Sequence, residues 1–111
     1  MKGRCEVILI IIYPDRFTVT GHAGHDPPAH DIVCAGVSTL VQTFVASMEA
    51  LTDAKVNSNL SSGRATVKYG NPSERVKLLA DSFLIGMRGI AGAYPGCVQV
   101  AEVLVDIVPK P

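Results

Sequence analysis

Net charge is missing from this sequence: ten Lys and Arg balance ten Asp and Glu over 111 residues. That balance argues against a protein held to DNA, RNA or anionic lipid by a general basic field, and leaves a local basic patch open. Cysteine is scarce, at Cys5, Cys34 and Cys97 only. An odd count at wide spacing is not a disulfide framework, and it fits a reducing compartment. No continuous apolar run approaches the ~20 residues of a membrane-spanning helix. The run from Val7 to Ile12 follows Lys2 and Arg4 and so faintly mimics a signal peptide. It is short, Glu6 interrupts its start, and no small-residue cleavage site follows before Pro14, Asp15 and Arg16. A buried strand is expected there, and a soluble cytoplasmic domain is expected for the chain.

What is present is material for a core. Apolar residues make up 48% and charged residues 18%, which excludes a disordered tail and points to one folded domain over residues 1–111. Residues 4–12 read as a β-branched apolar strand, Tyr13-Pro14-Asp15-Arg16 as a turn, and Phe17-Thr18-Val19-Thr20 as a half-buried second strand. After a loop over residues 21–31, Asp31 reads as the N-cap of a helix to about Thr52, with a stripe of Val33, Val37, Leu40, Val41, Phe44, Met48 and Leu51. Lys55–Asn59 and Arg64–Tyr69 read as short strands around Ser61-Ser62-Gly63. Asn71 and Pro72 read as the cap and first residue of a second helix to about Ala93, and Cys97–Val108 as a last strand. Gly86, Gly89 and Gly92 are costly inside a helix and suggest close packing or a frayed end. The order ββαββαβ predicts an α+β fold, with two helices packed on one face of a largely antiparallel sheet.

All three histidines, His22, His25 and His30, lie in the 21–31 loop, which two glycines and Pro27-Pro28 keep irregular. Cys34 follows, at the third helical position if Asp31 is the cap. The unpaired N–H groups and dipole of a helix start favour a thiolate, which is the nucleophilic form, and the same N–H groups suit an oxyanion. A loop that folds back brings His22 beside the sulfur, as general base and then general acid. The same position also suits a small buried hydrophobe.

Gly21-His22-Ala23-Gly24 followed by Asp31-Ile32-Val33-Cys34-Ala35-Gly36-Val37-Ser38 resembles the signature of the bacterial ribosomal-processing cysteine protease family. The resemblance covers nearly the whole chain. It implies that His22 and Cys34 are the catalytic pair. It also implies a cysteine endopeptidase that removes a short N-terminal extension from a large-subunit ribosomal protein. A homodimer, a mobile loop over the site and no cofactor are implied as well. Asp31 and Ser38 belong to the matched block as supporting residues, Asp31 as a cap and Ser38 on the helix face of Cys34. Gly21 and Gly24 serve backbone freedom. Members usually have a glycine where this chain has Ala29, so with Pro27-Pro28 the loop is expected to be stiffer. Cys5 and Cys97 read as core.

Two other readings remain open. His22, His25, His30 and Cys34, with Asp26 and Asp31, are zinc-competent, although their spacing matches no common paired-ligand pattern. A non-catalytic, ribosome-associated or peptide-binding dimer that adds a peptide to an open sheet edge is the other. Such a module tolerates Cys34→Ala, and a protease does not.

Overall fold

In the computed structural model, which describes residues 7–21, 28–61, 64–70 and 73–103, β1 (Ile8–Ile12) and β2 (Arg16–Thr20) form the expected hairpin. Helix α1 (Pro28–Leu51), β3 (Asn57–Ser61), β4 (Arg64–Lys68), α2 (Glu74–Ala93) and β5 (Val98–Glu102) follow, so the chain is α+β with the order ββαββαβ. The strands form one sheet in the order β3-β4-β2-β1-β5. β1 pairs antiparallel with β2 and parallel with β5, placing Ile10 between Val19 and Val100. Parallel neighbours need a long crossover, and α2 carries the chain across the sheet to reach β5.

The inner position of β1 explains its unbroken apolar sequence. Ile8, Ile10 and Ile12 are buried on one face, while Leu9 and Ile11 are half-buried on the other. Both helices share a core with the buried face, through Val33, Val37, Phe44 and Met48 of α1 and Val76, Phe83 and Met87 of α2. Phe17 stacks on Phe83 with centroids 4.2 Å apart and meets Phe44 edge-on at 5.2 Å. Burying each ring contributes ~1.5–3 kcal/mol, and each aromatic pair adds ~0.5–1.5 kcal/mol. The helices meet over glycines. A Cβ on Gly86 would stand 3.0 Å from Leu40 Cδ1, and one on Gly36 would stand 3.3 Å from Ile90 Cδ1. Close packing therefore accounts for Gly86, whereas Gly89 and Gly92 face open space.

Several boundaries differ from the sequence reading. Helix α1 starts at Pro28, three residues before Asp31, because proline fits the first helical turn with its fixed φ and missing N–H. Asp31 is therefore inside the first turn and is not the cap. Helix α2 is capped by Ser73, whose hydroxyl accepts the Val76 N–H at 3.3 Å. Asn71 and Pro72 lie outside the described residues, and Glu74 holds the expected place beside the positive end of α2. β3 is shifted to Asn57–Ser61 by its register with β4, where Asn57 faces Lys68. The start of the first expected strand, the Ser62-Gly63 turn and the expected continuation of the last strand to Val108 lie outside the described residues.

Ile32–Leu51 has a mean hydropathy of 1.4 and is long and apolar enough to cross a membrane, although no single unbroken run reveals it. Its apolar stripe instead joins the sheet core, while Thr39, Gln42 and Glu49 are exposed on the other faces. Cys97, expected as a simple core residue, packs against the core but is disulfide-bonded.

Candidate active site

Gly21, Cys34 and Ser38 are the predicted site residues that lie fully among the described residues. β2 ends at Thr20, between Leu9 of β1 and Arg64 of β4. Gly21 follows with φ +93°, and a Cβ there would run into the carbonyl oxygen of Val7. Only glycine suits both the conformation and the close approach. Gly21 is thus packed against the start of β1. His22, Ala23, Gly24, His25, Asp26 and Pro27 lie outside the described residues, as do the side chains of His30 and Asp31. Of the loop expected over residues 22–31, the part from Pro28 onward is helical.

Cys34 lies on the sheet-facing stripe of α1 with Val33 and Val37. It is a thiol and 6% exposed. With Pro28 as the first residue of α1, Cys34 is the seventh, and its N–H belongs to the i to i−4 ladder. Dipole effects fade beyond the first turn. The helix start therefore does not favour a thiolate at Cys34, and the Cys34 amide is used within the helix rather than at an oxyanion. Gly36, two residues on, lies under Ile90 near the end of α2, so that end of α2 packs beside the Cys34 turn.

Ser38 is one turn past Cys34 and half-buried. It lines a cleft of about 130 Å³ between α1 and the β3–β4 hairpin, with Val19, Val41, Leu60, Arg64 and Ala65. A site of that size holds roughly one ring or branched side chain, since a 150 Å³ cavity in another protein binds benzene. The sequence reading missed Leu60, Arg64 and Ala65. They come from strands far along the chain and reach α1 only through the pairing of β2 with β4.

The opposite end of the molecule carries an open hollow of about 1240 Å³, lined in part by Asp53, Tyr69, Arg75 and Leu78. Tyr69 is buried and donates its hydroxyl to the Tyr13 carbonyl at 3.3 Å. Burial, then Asp15 and Asp81, raise its pKa to about 12. None of the predicted site residues is in that lining. Among the described residues no group of three or more His, Cys, Asp or Glu is placed to hold a metal ion. The zinc reading rests on side chains outside the described residues, apart from Cys34.

The model of the family described as cysteine protease Prp matches residues 13–99. The class is therefore a cysteine protease with an α+β domain. The chain belongs to the Prp family. SMU.848 from Streptococcus mutans is similar in structure, with a TM-score of 0.78 and 28% identity over 93% of this chain and 97% of that one. The ribosomal processing protease Prp from Staphylococcus aureus has the same fold. Its complex with a substrate peptide gives a TM-score of 0.76 at 20% identity, over 87% of this chain and 98% of that one. Its covalently linked product complex gives 0.74 at 21% identity, over 88% and 99%. No curated protein matches the chain.

Proposed function

We propose that this protease uses Cys34 as nucleophile and His22 as proton shuttle to remove the N-terminal extension of a large-subunit ribosomal protein. The observation that carries the reading is the Cys34 thiol on the sheet-facing stripe of α1, one turn before Ser38 and its cleft. Gly21, packed against Val7 at the end of β2, immediately precedes His22 in the sequence, which supports the same pairing. The substrate and covalent product complexes of the Staphylococcus aureus protein support a peptide substrate and a covalent route.

In this mechanism the Cys34 proton moves to the imidazole and the sulfur attacks the scissile carbonyl carbon. The imidazolium then protonates the leaving amine, and water, activated by the same imidazole, hydrolyses the thioester. Because the Cys34 thiol is 6% exposed, neighbouring groups must move aside before a peptide reaches it. The cleft by Ser38 takes a substrate side chain during that step. A homodimer belongs to the proposal. Leu78 and Ile85, seven residues apart on α2 and 69% and 71% exposed, offer a stripe that a second copy would cover. A cytoplasmic location follows from the substrate, which is made there.

The test is cleavage of a peptide carrying the organism's own ribosomal-protein extension. Wild type is expected to cut at one bond, and Cys34→Ala and His22→Ala to leave the peptide intact. Turnover by Cys34→Ala at the wild-type rate overturns the assignment. Family membership removes the non-enzymatic alternative from consideration.

A further inference from the structure

β3 is an undefended edge of the sheet. It lies at one end of the order β3-β4-β2-β1-β5 and pairs only with β4 among the described residues. Antiparallel neighbours bond at alternate pairs, so alternate residues of β3 turn their N–H and C=O groups outward. Proteins usually blunt such an edge with charge, proline or a bulge. Asn57-Ser58-Asn59-Leu60-Ser61 carries no charge and no proline. Its register runs unbroken from Asn57 opposite Lys68 to Ser61 opposite Arg64, so no bulge turns it away. Asn57, Ser58, Asn59 and Leu60 are all exposed.

This edge opens into the cleft beside Ser38. Val19 of β2 stands opposite Ala65 of β4, and Ala65 opposite Leu60 of β3. The three form one row across the sheet, and all three line the cleft, with Ser38, Val41 and Gln42 of α1 across from them. The row stops at Leu60, which is 58% exposed. A strand added to β3 lies ~4.8 Å further on, and its residue opposite Leu60 becomes the fourth member of the row. An apolar side chain there packs on Leu60 and enters the open side of the cleft.

We propose that β3 captures the substrate backbone as a sixth strand, with an apolar residue opposite Leu60 filling the Ser38 cleft. The inference rests on the reading of the protein as a peptide-cutting protease. An extended peptide is the occupant this edge fits. It needs main-chain bonds and pockets for alternate side chains, which β3 and the cleft supply. A second copy needs roughly 20–30 residues a side for a stable interface, and β3 offers 5. Ser38 is one turn past Cys34, so the cleft and the thiol occupy successive turns of α1.

The experiment uses the full chain with Cys34→Ala, which holds a bound peptide uncut, and a peptide spanning the cut in the ribosomal-protein extension. Amide exchange is measured residue by residue with and without peptide. Alternate residues of β3 are expected to slow about tenfold at a peptide concentration about ten times Kd. The peptide is then N-methylated one residue at a time, which leaves the protein unaltered. Each methyl that removes a bond to β3 is expected to raise Kd about fivefold, with losses recurring every second residue. In the active enzyme, Leu60→Ser is expected to raise KM about fivefold and leave kcat unchanged, as lost uniform binding does. Binding without a change in β3 exchange, or losses without the two-residue period, overturns edge capture even if wild type cuts the peptide. Protection that is present in the free protein and grows with its concentration assigns the edge to a second copy and overturns it as well. β3 protection by a peptide that wild type does not cut supports the edge and removes the catalytic reading. A peptide neither bound nor cut removes both.

Discussion

Replacing Gly21 with alanine tests whether the end of β2 is locked against β1. At φ +93° an L side chain is strained, at a cost of ~1–3 kcal/mol. The added Cβ also meets the Val7 carbonyl and the Ile8 Cα, which are backbone atoms and cannot rotate away. Forcing β1 aside adds ~1–3 kcal/mol, as overpacking does elsewhere. The sum is at least ~2 kcal/mol, or a fall in Tm of at least ~8 °C for a domain near this size. Gly89→Ala is the matched control. It adds the same methyl in a helix where nothing lies within 4 Å, so it should stabilise by ~0.5–1 kcal/mol. Thermal unfolding of both variants by circular dichroism gives opposite signs if the geometry is right. Peptide cleavage at a temperature where both are folded should fall for Gly21→Ala alone, because that residue sets the approach to His22. A Gly21→Ala variant melting within about 2 °C of wild type would refute the locked turn, since even the smallest expected cost exceeds that shift.

Ser73→Ala removes the cap of α2 and is expected to cost ~1 kcal/mol in urea unfolding, with no change in kcat/KM because Ser73 is at the far end from Cys34. Tyr69 has a folded-state pKa of about 12 against an ordinary 10.0, so the unfolded chain ionises first as pH rises. Its contribution is complete below pH 10 and is lost between 10 and about 12, by roughly 3 kcal/mol. Tyr69→Phe should flatten that alkaline loss and cost ~1 kcal/mol at neutral pH through the bond to Tyr13. Ala65→Phe fills the cleft beside Ser38 and should lower kcat/KM for peptide by about tenfold, the worth of ~1.4 kcal/mol of lost binding. Alkylation of Cys34 by a reagent smaller than the peptide should change much less.

Local pattern carried the reading wherever one short segment decides its own state. β1 was legible because an apolar, largely β-branched run suits an inner strand, and α1 because its stripe repeats at helical spacing. Cys34 and His22 were legible as a motif. The start of α1 was not, because Asp31 and Pro28 both carry helix-start signals and local chemistry gives no ranking between them. The cap of α2 was misread for the same reason: Asn71 and Ser73 are both good caps, and only the path of the chain selects Ser73.

By itself, the sequence determined the element types, their order and the two reactive residue types of the proposed site, since these depend on periodicity, turn chemistry and motif spacing. Tertiary structure alone decided what surrounds them. The register of β4 against β2 brings Arg64 and Ala65 to the face of Ser38. The approach of Gly21 to Val7 ties the end of β2 to the start of β1, and the parallel seat of β5 beside β1 puts Cys97 next to Ile8. Each of these contacts joins residues far apart in the chain, and their meeting is selected by the burial of one shared core.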